Sequence, residues 1–259
     1  MKYGTWTISS YEPADARALC AAGFSPITAA LLCSRGYRDA GAAREFLSCS
    51  TPLSSPFDLL DMDKAAARVK QALARREHIA VFGDYDVDGI TATCLLTEYL
   101  RSRGGHVTSY IPARLEEGYG LNPIAIDTLK KQGVELIVTV DCGITANQEA
   151  ALCRELGVDL IVTDHHECKD RLPQAVAVVD PRREDDTSPF KGLCGAGVAF
   201  KLCAALDDCT PEEMLDYCGD LAAVGTVADV MPLTGENRTL VRSGLHQLQN
   251  TDRPGLEAL

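Results

Sequence analysis

Acidic residues and histidines that could bind metal ions occur in four short segments of the chain. They are residues 83–89, with Asp84, Asp86 and Asp88 at every second position, then Asp141-Cys142-Gly143, Asp164-His165-His166, and Asp229 in an apolar run. Clustered carboxylates raise each other's pKa, and bound divalent cations remove that conflict. Carboxylates with one imidazole suit manganese or magnesium, with zinc possible. Two such ions about 3.5–4 Å apart can activate water for attack on phosphorus.

Each segment alone has a simpler interpretation. Asp84-x-Asp86-x-Asp88-Gly89 matches the first half of an EF-hand loop, but the twelfth position is Leu95 instead of Glu and a predicted strand precedes it. It could also be a solvated acidic turn. Asp141 could cap a following helix, and adjacent histidines are commonly ordinary core or surface residues. The joint pattern favours a metal site.

The predicted secondary structure brings these segments together. Three of them directly follow short apolar strands, which we predict at His78–Phe82, Leu136–Val140 and Leu160–Thr163. The sequence predicts further strands at Val107–Ile111 and Ala175–Val179, helices at Ile90–Ser102, Pro123–Gln132 and Ala146–Leu156, and a mainly helical end from Gly195. This alternation indicates an α/β fold, a doubly wound and mainly parallel sheet flanked by helices. Ligands bind such sheets at the carboxyl ends of the strands.

The N-terminal part has a different pattern. Residues 1–55 are predicted to form a helical appendage that ends in the breaker-rich stretch 50–56, and residues 56–259 the catalytic domain. The predicted helices of the appendage are Pro13–Ala21, Thr28–Cys33 and Gly41–Leu47. Asp63–Arg76 has the spacing of an amphipathic helix at the start of the larger domain.

Composition limits the class of protein. The chain has 259 residues, 37 acidic and 25 basic side chains and a net charge of −12. No apolar run approaches the roughly 18 residues of a membrane helix, and residues 1–7 lack a signal-peptide core, so we expect a cytoplasmic protein. The 11 cysteines include no C-x-x-C pair, which disfavours disulfides and a cysteine zinc site. So acidic a chain repels nucleic-acid phosphates unless bound cations reverse the local field.

Taken in order, the four segments resemble the motifs of the DHH phosphoesterase superfamily. The fourth motif is Gly225-Thr226-Val227-Ala228-Asp229. Within the superfamily the chain is similar to the RecJ family of bacterial single-strand-specific 5′→3′ exonucleases, which act in DNA repair and recombination. Supporting stretches span essentially the whole chain; they include residues 79–91, 111–114, 117–121, 194–202 and 227–238.

The resemblance implies a role for each motif residue. Asp86 and Asp141 would hold one divalent cation, with Asp84 nearby, and Asp88, Asp141, His165 and Asp229 would hold the second. The cations would be Mn²⁺ or Mg²⁺, and they would polarise the phosphate and activate the attacking water. His166 would lie beside the scissile phosphate and stabilise transition-state charge. The reaction would release mononucleotides from the 5′ end of single-stranded DNA.

Several other residues are candidate substrate contacts. By the resemblance, Arg114 could hold a DNA phosphate and Tyr119 could stack on a base. Arg182, just after a predicted strand, and Lys201 are candidate phosphate contacts. Gly195 and Gly197 open a predicted helix whose N–H groups could bind a phosphate; the equal alternative is a tightly packed turn.

Two further implications concern the extent of the protein and rival functions. Full-length family members are longer, with a second cleft domain and an oligonucleotide-binding domain, so we expect a truncated chain that binds single-stranded DNA weakly. One alternative is a phosphodiesterase for short oligoribonucleotides, cyclic dinucleotides or other small phosphoesters. Another is a non-catalytic binding module, which the full set of motif acids disfavours. The stretches 118–120 and 195–201 favour the exonuclease.

Overall fold

The computed structural model describes residue 7 and residues 9–169 and 171–259, which form two compact units, 1–51 and 52–259. Residues 1–6 and Ile8, at the start of the predicted appendage, lie outside the described residues.

The first unit is helical, as predicted. Its helices are α1 (Pro13–Ala21), α2 (Pro26–Ser34) and α3 (Ala40–Ser48). The side chains of Ser25 and Asp39 accept hydrogen bonds from backbone N–H groups in the first turns of α2 and α3, which stabilises both helix starts. A small apolar core holds the unit together; its buried members are Leu19, Ala29, Leu32, Cys33 and Ala43.

The second unit is built on a five-stranded parallel sheet. Its strands are β1 (His78–Gly83), β2 (His106–Tyr110), β3 (Leu136–Val140), β4 (Asp159–Thr163) and β5 (Ala177–Val179), in the order β2-β1-β3-β4-β5. Every adjacent pair is parallel. The predicted fold class is therefore confirmed.

Helices follow or precede each strand of this unit. In chain order they are α4 (Met62–Arg75), α5 (Val87–Ser102), α6 (Pro123–Lys131), α7 (Asn147–Glu155), α8 (Gly195–Asp207), α9 (Pro211–Ala228), α10 (Gly235–Leu248) and α11 (Pro254–Ala258), with a 3-10 turn at Pro56–Asp58. Helix α9 is kinked at Cys218, where the backbone leaves helical dihedral angles. None of the helices among the described residues combines the length and the apolar character needed to cross a membrane.

The central strands β1 and β3 are buried on both faces, because successive side chains point to opposite sides of the sheet and helices cover both sides. On β1, Ile79 and Val81 pack into the larger core with residues of α4, α5, α8, α9 and α10. Ala80 and Phe82 face the smaller core with residues of α6 and α7. These apolar runs anchor the strands, so the positions of the residues that follow them are fixed.

The order of the strands identifies one crevice. Strand β1 lies between β2 and β3, so the connections diverge from the sheet at the carboxyl ends of β1 and β3. In open α/β sheets, such a switch point is where ligands bind.

Candidate metal centre

The motif acids converge on this crevice from four elements. Asp84 directly follows β1, Asp86 is the N-cap residue of α5, and Asp88 lies in the first turn of α5. Asp141 directly follows β3, His165 lies just after β4, and Asp229 caps the C-terminus of α9. The side chain of Asp86 accepts a hydrogen bond from Gly89 N at 2.9 Å. The acidic segment is therefore the start of a helix after a buried strand, and the EF-hand interpretation is wrong.

The ligand atoms form overlapping groups. Asp84, Asp86 and Asp141 each offer an atom within 4.8 Å of the other two, as do Asp88, His165 and Asp229. Asp141 forms a third such group with His165 and His166. The Nε2 atom of His165 lies 3.0 Å from Asp141 Oδ1 and 3.7 Å from a carboxylate oxygen of both Asp88 and Asp229. Asp141 is therefore the residue common to both halves of the cluster.

The chemistry of the donor set fits divalent cations. Asp84 Oδ1, both carboxylate oxygens of Asp141 and both ring nitrogens of His165 are buried without a hydrogen-bond partner among the described residues. Leaving so many buried polar atoms unpaired is costly unless another group binds them. Carboxylates with one imidazole are ligands that manganese and magnesium accept.

The pKa shifts in the cluster also favour the binding of divalent cations. Burial raises the pKa of Asp141, and the nearby carboxylates of Asp88 and Asp86 raise it further. Burial also raises the pKa of Asp84 and of Asp229. Burial lowers the pKa of the His165 imidazole, so the neutral ring that can act as a ligand is favoured. Cations bound here would stabilise the ionised carboxylates and so offset the cost of burying them close together.

Close backbone contacts fix the cluster in place. Asp141 has φ +60°, a left-handed conformation that few residues other than glycine adopt. A Cβ atom on Gly195 would lie 2.4 Å from Asp141 Cβ. One on Gly225 would lie 2.5 Å from Asp88 Oδ1. Both glycines are therefore required for α8 and α9 to approach the metal-binding carboxylates.

This packing corrects the predicted phosphate role of Gly195 and Gly197. The N–H groups of Gly195 and Ala196 donate to the two carboxylate oxygens of Asp88, at 2.6 and 2.9 Å. The N–H group of Gly197 donates to Cys194 Sγ. The N-terminus of α8 therefore orients a carboxylate of the protein, and its N–H groups are not available to a substrate phosphate.

The two histidines of the third motif differ in exposure and in hydrogen-bond partners. His165 is 4% exposed and faces the acids, whereas the His166 side chain is half-exposed. His166 Nδ1 donates to Asp164 Oδ1 at 2.7 Å, and this bond raises the pKa of His166. Although burial opposes ionisation of Asp164, hydrogen bonds from His166, Ile144 and His165 hold its pKa below the ordinary value. The bond to Asp164 thus fixes the orientation of the His166 ring.

Aromatic and cationic side chains line the rim of the cluster. Tyr119 is 53% exposed, and its hydroxyl lies 3.5 Å from His166 Nδ1. Its ring meets that of Tyr85 edge-on, with 6.4 Å between ring centroids. The Arg114 guanidinium lies 5.0 Å from the centre of the Tyr85 ring. Arg182 is directed to Glu167, with a 2.9 Å ion pair. Arg114 and Tyr119 therefore lie where a substrate could reach them.

The predicted phosphate contact of Lys201 is wrong. This side chain is 1% exposed, and its ammonium donates to Glu236 Oε2 at 2.8 Å and to the backbone oxygen of Ser54 at 2.5 Å. The Lys201 ammonium and the Glu236 carboxylate form a buried ion pair that joins α8 to α10. An ammonium so enclosed cannot reach a bound phosphate.

Sequence reasoning left three residues out of the site. Asp164 was part of a motif but had no assigned role, and Tyr85 lies between two motif acids. Asp180 follows β5 as the other acids follow their strands; it is fully buried, and its Oδ2 has no partner among the described residues. Burial raises the pKa of Asp180 to about 7. Its position at a strand end already indicated that this segment could line the cleft, but it assigned no role to the carboxylate.

Comparison with known proteins agrees with this geometry. Residues 78–226 match the DHH family, N-terminal domain. The chain is 45% identical over 236 residues to the single-stranded-DNA-specific exonuclease RecJ of Bacillus subtilis, an alignment that covers 91% of this chain and 30% of the relative. The chain thus spans about a third of the length of that protein.

Two solved structures show the same fold. RecJ of Thermus thermophilus in complex with Mn²⁺ superposes with a TM-score of 0.78 and 36% identity, covering 97% of this chain and 36% of that one. RecJ of the same organism in complex with Mg²⁺ gives a TM-score of 0.66 and 33% identity, covering 97% of this chain and 32% of that one.

Proposed function

Because the chain belongs to the DHH family, we propose that it hydrolyses phosphodiester bonds of single-stranded DNA from the 5′ end and releases mononucleotides. The observation that carries the proposal is the cluster of motif acids and His165, in which buried atoms of Asp84, Asp141 and His165 have no hydrogen-bond partner among the described residues. Similarity to single-stranded-DNA-specific exonucleases supports the choice of substrate. A role in DNA repair and recombination and a cytoplasmic location remain predictions.

We assign the ligands to two cation sites. Asp84, Asp86 and Asp141 would hold one cation, and Asp88, Asp141, His165 and Asp229 the other, with Asp141 shared. The overlapping groups of ligand atoms support this division. Mn²⁺ is the expected ion and Mg²⁺ the alternative, since structures of relatives contain each of them.

The protein groups around the cations have separate tasks. Bound divalent cations would polarise the phosphate and activate a water for in-line attack. His166, oriented by Asp164, would donate a hydrogen bond from Nε2 to a phosphate oxygen as negative charge develops. The raised pKa of His166 favours the protonated ring that can donate from both nitrogens.

The rim would hold the end of the strand. Tyr119 and Tyr85 offer ring faces or edges to a terminal base, and Arg114 offers a guanidinium to a phosphate. Arg182 can contribute only by exchanging its partner Glu167 for a phosphate. Such contacts are few on a chain with a net charge of −12, so we expect weak binding of single-stranded DNA by these 259 residues.

The proposal is tested by measuring from which end a strand is hydrolysed and which classes of substrate are cleaved. Single-stranded 20-mers carrying a 5′ phosphate, a blocked 5′ end or a blocked 3′ end are incubated with the protein and Mn²⁺ at low salt, beside a duplex, a cyclic dinucleotide and a dinucleotide. We expect mononucleotides from the 5′-phosphorylated and 3′-blocked strands only. Asp141→Asn is the matched inactive control.

Two results would contradict the proposal. Release of nucleotides from the 5′-blocked strand would show the wrong polarity. Turnover of the cyclic dinucleotide or dinucleotide without turnover of the long strands would identify a phosphodiesterase for small substrates.

A further inference from the structure

A second concave site lies beside α7, outside the metal cluster. It has a volume of about 240 Å³. Its walls come from one face of α7 and from the segment that follows His166; the lining residues are Asn147, Gln148, Ala151, Arg154, Arg171 and Gln174. None of these residues belongs to the groups of candidate metal ligands.

Charged and amide side chains contribute to the lining of this cavity. Two guanidinium groups and three side-chain amides line it, and its described lining contains no carboxylate. Arg154 and Arg171 take part in no ion pair that the described residues form. On a chain with a net charge of −12, a concavity with two such arginines is electrostatically distinct from its surroundings.

Hydrogen bonds between the two walls hold the cavity open. Arg154 Nη1 donates to Gln174 Oε1 at 2.5 Å. Asn147 Nδ2 donates to the backbone oxygen of Arg171 at 3.1 Å. Ala151 of α7 also lines the cavity.

We propose that this cavity binds a phosphate group, supplied either by the backbone of a nucleic-acid strand or by a free phosphate compound. Guanidinium groups pair with phosphate oxygens through two parallel hydrogen bonds. The two walls follow Asp141 and His166, the segments that leave the carboxyl ends of β3 and β4. The cavity extends from Asn147, at the start of α7, to Arg154 and Gln174, which lie near the amino ends of β4 and β5.

The test measures binding without cations, so it is independent of hydrolysis. The protein in EDTA is titrated with inorganic phosphate and, separately, with an unlabelled 12-mer of thymidine, while the arginine Nε–Hε resonances are followed by NMR. We expect saturable shifts of the Arg154 and Arg171 resonances. The double variant R154Q/R171Q should bind the 12-mer about tenfold more weakly, the scale of losing charge-assisted hydrogen bonds.

The matched control removes the same charge from a neighbouring helix. K130Q/K131Q changes two exposed lysines at the end of α6 and should weaken binding of the 12-mer less than twofold. Shifts with phosphate alone would assign the cavity to free phosphate compounds. Absence of saturable shifts with either ligand, or an equal loss of affinity in both double variants, would overturn the proposal. If the double variant misfolds, the affinity of the single variants R154Q and R171Q for the 12-mer is measured instead, after circular dichroism has shown that they fold.

Discussion

Acidic side chains have different surroundings at the two edges of the parallel sheet: at one they pair with an arginine, and at the other they cluster together. At the amino edge, Arg68 lies between Glu77 and Asp159, with 2.6 Å between the paired atoms in both cases. At the carboxyl edge, five aspartates and His165 face one another, and buried oxygens of Asp84 and Asp141 have no partner among the described residues.

The difference in charge pairing indicates a different role for each edge of the sheet. A carboxylate paired with a guanidinium is satisfied within the chain, so the amino edge contributes to stability. Crowded carboxylates that lack a lysine or arginine partner raise the free energy of the folded chain until a bound metal cation stabilises them. The same strands that position one group of charges for stability therefore position the other for binding.

The largest expected effect is at the shared ligand of the carboxyl edge. Asp141→Asn should abolish binding of two Mn²⁺ ions and all metal-dependent hydrolysis, because both sites lose a negative ligand. Asparagine tolerates the left-handed conformation of this position, so the fold should remain. Calorimetric titration with Mn²⁺ measures the loss, and Asp159→Asn at the amino edge is the control that should bind normally. Normal binding of two ions by Asp141→Asn would refute the assignment.

A smaller effect separates the two histidines of the carboxyl edge. His166→Ala should retain near-normal affinity for Mn²⁺ while turnover falls by roughly 10²-fold or more, the scale of one transition-state hydrogen-bond donor. Calorimetry and single-turnover rates measure the two quantities. His165→Ala is the contrasting variant, in which affinity should fall as well. A joint collapse of affinity and rate in His166→Ala would mean that their roles are exchanged.

At the amino edge the expected effect is on stability alone. Arg68→Met should lower the free energy of unfolding by about 1–3 kcal/mol, because the largely buried Glu77 loses its close partner and keeps only the more distant Arg75, at 3.7 Å. Urea denaturation in EDTA measures this. Lys70→Met, which breaks an exposed ion pair with Asp208, should cost less than about 1 kcal/mol. A change in Mn²⁺ affinity in Arg68→Met would show that the two edges are not independent.

The smallest effect is the pH dependence of the metal-free protein. The pKa of Asp141 is raised in the folded chain, so its contribution to stability is fully present below the unfolded value near 3.8 and is lost as the pH rises. Without cations, Asp141→Asn should therefore be more stable than the unsubstituted chain near pH 7, by at least about 1 kcal/mol. The difference should shrink towards pH 4. Urea denaturation in EDTA at both pH values tests this, and a difference that does not vary with pH would contradict it.

Sequence patterns predicted the fold well because its strands are strongly marked. The apolar runs of β1, β3 and β4 are buried on both faces, and the motif residues lie at the ends of these strands, at the start of α5 or at the end of α9, so topology brings the acids together. Lys201, Gly195 and Gly197 could not be assigned in this way. Their partners, Glu236, Asp88 and Cys194, are distant in sequence or depend on how α8 packs, and only tertiary contacts distinguish an interior ion pair from a phosphate contact.

The spread of the ligands along the chain also has a consequence during protein synthesis. Asp84 is made early, whereas Asp229 follows α9, near the end of the second unit. A ribosome-bound chain that lacks α9 has an incomplete ligand set, and an unfolded chain holds its ligands too far apart to share an ion. Under the proposed function, phosphodiester cleavage would therefore require the synthesis of α9, and half-made or partly degraded copies of the protein would leave nucleic acid intact.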